Sequence, residues 1–168
     1  MTNAIILLIA QGLLGAWDTV WYHEWKQQLP TRLGGSRELL LHALRDFAYA
    51  VIFGSLAWFT WQGSLAVLFC CLLAFEIVVT LLDFIEEDRV RPLPAGERVM
   101  HTIMAIVYGA FLAHLLPEVA KWFSLPTMLM PTSYGLLSYA MSLFAVGVFV
   151  SGCRDLNASF RSRKSAAI

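Results

Sequence analysis

The sequence predicts an all-α integral membrane protein, a bundle of about five transmembrane helices forming one domain over residues 1–168. Three observations predict it. Hydrophobic residues make up 58% of the chain and charged ones only 14%, against about 25% charged in a soluble domain. Mean hydropathy is +0.65. The apolar residues also gather in runs long enough for a bilayer, which takes roughly 20 residues per helix.

The first helix is expected over residues 3–25. Its start, MTNAIILLIAQGLLGAW, has no basic leader and no small-residue cleavage site, so it reads as a membrane helix rather than a signal peptide. Pro30 and Gly34-Gly35 mark the connection after it. The second helix is expected over residues 36–61, with Ser36 as its N-cap. Gln62-Gly63-Ser64 forms a tight turn into a third helix over residues 65–89. Arg91-Pro92-Leu93-Pro94 ends that helix, because proline lacks an amide donor and restricts the residue before it. The fourth helix covers residues 95–116. A short interfacial segment, punctuated by Pro117, Pro126 and Pro131, separates it from a fifth helix over residues 132–152. A polar tail, residues 153–168, closes the chain.

Orientation follows from the cations. Lys26, Arg32, Arg37, Arg45, Arg89, Arg91, Arg98, Arg154, Arg161, Arg163 and Lys164 fall toward one end of this bundle, and only Lys121 toward the other. The positive-inside rule then places the N-terminus outside and the C-terminus in the cytoplasm, in a plasma (inner) membrane. Six tryptophans (17, 21, 25, 58, 61, 122) fall mainly near the two interfaces. Cys70, Cys71 and Cys153 form no CxxC pair, which argues against a thiolate metal site and for buried structural thiols. The zero net charge suggests no nucleic-acid partner.

Ionisable groups within membrane helices are costly and normally face the bundle interior. In the second helix Glu38, His42, Arg45, Asp46 and Tyr49 fall within about 100° of one face. In the third, Glu76, Thr80, Asp83 and Glu87 share a stripe about 60° wide. Glu97, His101, Met104 and Tyr108 do likewise in the fourth. The first contributes Asp18 and Tyr22, with His23 and Glu24 to either side. Asp18, His42, Asp83 and His101 all lie roughly 9–10 Å from the cytoplasmic end of their helices. Glu38, Glu87 and Glu97 lie nearer water, and Asp46 and Glu76 deeper.

Carboxylates converging in a dry interior must be protonated, paired or bound to cations. Imidazoles among them favour Fe, Zn or Mn over Mg. The sequence therefore points to a His/carboxylate site for one or two divalent ions. Its candidate ligands are Asp18, His23, Glu24, His42, Asp46, Glu76, Asp83 and His101. Glu87 and Glu97 would bridge ions or serve as acid–base groups, with Tyr49 and Tyr108 as hydrogen-bond donors. The expected activity is that of a metal-dependent membrane enzyme on a lipid or lipid-soluble substrate, oxidoreductase before hydrolase. Arg45, Arg91 and Arg98 suit an anionic group, the basis of an alternative: a Mg²⁺-dependent transferase or hydrolase on a phospholipid or polyprenyl phosphate. A polar core without metal, a transporter and a non-catalytic assembly subunit are the further alternatives. A homo-oligomer or larger membrane complex is compatible with all of them.

The segment DFIEEDRVRPLPAG, Asp83 to Gly96, resembles the aspartate-rich loop of UbiA-type prenyltransferases, where spaced acids precede an Arg-Pro motif. The resemblance implies acids that hold Mg²⁺ against a prenyl diphosphate. It covers 14 of the 168 residues, and Asp88 follows Asp83 at a different spacing from the family's. Ferritin-like di-iron bundles use Glu-x-x-His. Here the spacing is Glu38-x-x-x-His42 and Glu97-x-x-x-His101, so that family is not indicated.

Overall fold

The computed structural model describes residues 1–28, 35–90 and 92–165, with side chains through Ser162. Among the described residues are five helices long and apolar enough to cross a membrane. Helix α1 (Thr2–Asp18) runs directly into a π-helical segment, Thr19–Lys26. Then come α2 (Ser36–Trp58), β1 (Phe59–Gln62), α3 (Leu65–Val90), α4 (Ala95–Trp122), β2 (Met128–Pro131) and α5 (Leu136–Ser165).

Helix α2 packs extensively against α5 and also against α3, while α1 packs on α4 and touches α5. The seam between α3 and α4 is looser and is crossed where Phe84 stacks on His101 at 5.0 Å. Away from the polar end the interior is mostly apolar, with Ile5, Leu8, Ile52, Leu56, Phe69, Phe111 and Leu115 fully buried and Gln11, Glu76 and Ser138 as buried polar exceptions. Close approach depends on Gly12, where an added Cβ would meet Phe144 at 2.9 Å and Phe53 at 3.0 Å.

Three departures from the expected elements have local causes. Helix α2 stops at Trp58 rather than residue 61 because Phe59–Gln62 pairs antiparallel with Met128–Pro131. Helix α4 continues through Pro117 to Trp122, beyond the expected end at residue 116. A single missing amide is tolerated there, as prolines in membrane helices commonly are. The stretch expected to lie as an interfacial segment is thus the last turns of α4 followed by a strand. Helix α5 starts four residues late, at Leu136, and absorbs the expected polar tail as far as Ser165. The cysteines form no disulfide, and Cys71 and Cys153 are exposed rather than buried. Pro30 and Gly34, placed in the first connection, lie outside the described residues.

The two-stranded cap is pinned by Gly63. Its φ of +60° suits glycine, and an added Cβ would lie 2.6 Å from the Thr127 Cα. Its amide donates to the Trp122 carbonyl at 2.9 Å. Gly63→Ala combines backbone strain with a clash, and is expected to cost about 1–3 kcal/mol. Thermal unfolding of the detergent-solubilised variant should show the lowered midpoint.

Candidate metal centre

At one end of the bundle, side chains from all five helices meet. Asp18, His23, Glu38, His42, Asp83, Glu87, Glu97, His101 and Asp155 are each no more than 8% exposed. The first contribution comes from the π-helical segment. In a π-helix the amide of residue i+5 bonds the carbonyl of residue i, as where the Gln27 amide donates to the Tyr22 carbonyl at 2.9 Å. That widened turn brings His23 over Asp18, with Nε2 3.3 Å from Oδ2. An α-helix would bring Tyr22 there instead. Tyr22 in fact packs its hydroxyl against Gly96 at the start of α4.

Asp18 also faces His101, whose Nε2 lies 3.3 Å from the same Oδ2. The other nitrogen of His101, Nδ1, lies 3.6 Å from Glu87 Oε2. His42 is placed similarly. Its Nε2 lies 3.2 Å from Asp83 Oδ2 and 3.5 Å from Glu87 Oε1, while Nδ1 faces Asp155 at 4.0 Å. The rings of His23 and His42 stack with centroids 4.6 Å apart.

Ligand-type atoms of His23, Glu87, Glu97 and His101 lie within 4.8 Å of one another, and so do those of Glu38, His42 and Glu87. Glu87 belongs to both groups. A carboxylate has two oxygens and can serve two neighbours at once, and Glu87 stands between the two groups. Asp18, Asp83 and Asp155 stand beside imidazoles, where carboxylates commonly fix ring orientation in metal sites.

The other residues singled out in the sequence lie elsewhere. Arg45 donates to Asp83 at 2.7 Å, so its charge is engaged within the bundle. Asp46 is one residue further along α2, against Gly152 of α5, and stands outside both groups. Glu24 is exposed and pairs with Arg154, which also binds Asp155 at 2.9 Å. Arg98 is exposed, and Arg91 lies outside the described residues. Glu76 sits seven residues before Asp83, two turns deeper and about 10 Å along α3. Tyr49 and Tyr108 accompany it, their rings 6.1 Å apart. The residues that joined the cluster without being named as ligands are Glu38 and Asp155. Glu38 carried a signal in its four-residue spacing from His42. Asp155 carried none, because helix 5 was expected to end before it.

Two cavities adjoin the cluster. A small one of about 310 Å³ is lined by Phe84, Glu87, Asp88, Leu93, Arg98 and His101 among others. A larger one, about 670 Å³, runs down the middle of the bundle between all five helices. Its walls are mostly apolar, with Arg45, Asp46 and Thr19 toward the cluster and Gln11, Glu76 and Tyr108 deeper. Phe84, stacked on His101, lines both cavities.

Comparisons with protein-family models, with curated proteins and with solved structures found no match to this chain. The segment that resembles the prenyltransferase loop places Asp83 and Glu87 on the last turns of a helix, not on a loop.

Proposed function

We propose that the chain is a membrane-embedded metalloenzyme whose His/carboxylate site holds two divalent ions and acts on a lipid or lipid-soluble substrate, with oxidoreductase chemistry favoured. The observation that carries this reading is Glu87, common to two groups of buried ligand-type side chains. Its distances of 3.5–4.0 Å to nitrogens of His23, His42 and His101 support a bridging role. His23, Glu97 and His101 would complete one position, Glu38 and His42 the other. Imidazole with carboxylate suits Fe, Zn or Mn. Such ions supply oxygen activation or a hydroxide formed from bound water. The protein's part is to hold the imidazoles through Asp18, Asp83 and Asp155, and to admit an apolar substrate along the central cavity.

In this reading the five helices cross a plasma (inner) membrane, N-terminus outside, with the cluster near the cytoplasmic face. The distribution of cations supports that orientation: Lys121, paired with Glu118 at 3.0 Å, belongs to the end of α4 far from the cluster. The apolar packing of the opposite half argues against a transport path through a single copy.

Elemental analysis of protein purified without chelators, with an optical spectrum under air, tests the proposal. Iron, zinc or manganese is expected to co-purify, and His42→Ala or His101→Ala to lower the content by half or more. Metal content unchanged by both substitutions would sink the assignment. A second reading, a Mg²⁺-dependent enzyme on a phospholipid or polyprenyl phosphate, draws support from Arg98 in the small cavity beside Glu87 and His101. It is selected if activity survives both histidine substitutions and requires Mg²⁺ and Arg91.

A further inference from the structure

The central cavity contains a second polar group that the metal cluster does not use. Glu76 is 1% exposed and Gln11 is 7% exposed, and both line the cavity about midway along the spans. Thr80 donates its hydroxyl to Glu76 Oε1 at 2.8 Å. The hydroxyls of Tyr49 and Tyr108 face the same carboxylate. Glu76 Oε2, Gln11 Oε1 and the Tyr108 hydroxyl nevertheless make no hydrogen bond of normal geometry. Two buried acceptor oxygens beside an apolar cavity ask for a hydrogen-bond donor. At this depth in a bilayer, water is not at hand to supply one.

We propose that Glu76 and Gln11 accept a hydrogen bond from the hydroxyl of a neutral, long-chain lipid-soluble alcohol bound in the central cavity. The apolar body fits the walls, which include Phe53, Ile77, Leu112 and Phe144. Gly15, Gly109 and Gly147 line the cavity and leave room in it, since an added Cβ there would meet nothing within 4 Å. An alcohol hydroxyl both donates to these oxygens and accepts from the Tyr108 hydroxyl, whereas an ether only accepts and an alkane does neither. The proposal deepens the enzymatic reading by naming its substrate class, and rests on that reading only for the word substrate.

The test is photolabelling of the detergent-solubilised full chain with a hexadecanol analogue carrying a mid-chain diazirine. Unlabelled hexadecanol, hexadecane and hexadecyl methyl ether serve as competitors. On the wild-type protein, hexadecanol is expected to compete about tenfold better than the other two, the worth of one hydrogen bond. Glu76→Leu should erase that preference while leaving metal content unchanged. Equal competition by all three on the wild type would overturn the proposal, as would a preference that survives in Glu76→Leu. The wild-type competition decides the matter even if the variant does not fold. Metal analysis of the same preparation separates the two claims: a metal-free protein that still prefers the alcohol retains this site and loses the enzyme.

Discussion

Glu87→Ala is expected to remove nearly all bound metal, whereas His42→Ala leaves about half. The difference follows from geometry. Glu87 is the side chain common to both ligand groups, and its oxygens lie 4.0, 3.5 and 3.6 Å from nitrogens of His23, His42 and His101. Removing it takes a ligand from each position and the bridge between them. His42 belongs to only one group. Loss even of an outer partner of a ligand typically costs 10–100-fold in metal affinity, and loss of a shared ligand should cost more. Metal-to-protein ratios for wild type, Glu87→Ala and His42→Ala, all purified in the same buffer, measure the effect. Equal losses in the two variants would show that no bridge exists. A purely structural polar core predicts no metal in any of the three.

The second large effect concerns helix geometry. Exchanging neighbours, Tyr22→His with His23→Tyr, keeps composition and charge and moves the imidazole by one position. An ordinary α-helix would bring position 22 onto the face of Asp18, four residues earlier, so the exchange would be harmless or helpful. The π-helical Thr19–Lys26 segment predicts the opposite, because its wider turn directs position 23 at Asp18, Glu87 and Glu97. The double variant is expected to lose the ion proposed for the His23 and His101 position, halving the metal content, while thermal stability changes little. Full metal retention would mean that the segment is α-helical when the ions are bound.

That segment also shows where sequence reasoning stops. The five long apolar helices were legible, since their lengths and polar breaks follow from hydropathy and proline chemistry. So was the convergence of Asp18, His42, Asp83 and His101, because helical periodicity and equal depth are properties of spacing alone. His23 was among the candidate ligands, but its place over Asp18 was not legible, because a period of 3.6 residues puts Tyr22 there and nothing local announces the wider turn. Asp155 escaped because its neighbours Arg154 and Asn157 read as a solvated tail. In the fold, Arg154 pairs with both Asp155 and Glu24, which neutralises the charge that made the tail look like loop. Asp46 and Glu76 were placed deeper yet named as ligands, and neither stands in a ligand group, because shared depth is what a common ion needs. The β1–β2 pair was hidden because its partners are about 70 residues apart in sequence and each strand has only four residues.

X-ray absorption at the edge of whichever metal co-purifies with the wild-type protein addresses the cluster most directly. A bridged His/carboxylate site should give an inner shell of nitrogen and oxygen only, at about 2.0–2.2 Å, with imidazole scattering and a second metal atom nearby. Sulfur in the inner shell, or protein free of any transition metal after purification without chelators, would contradict it.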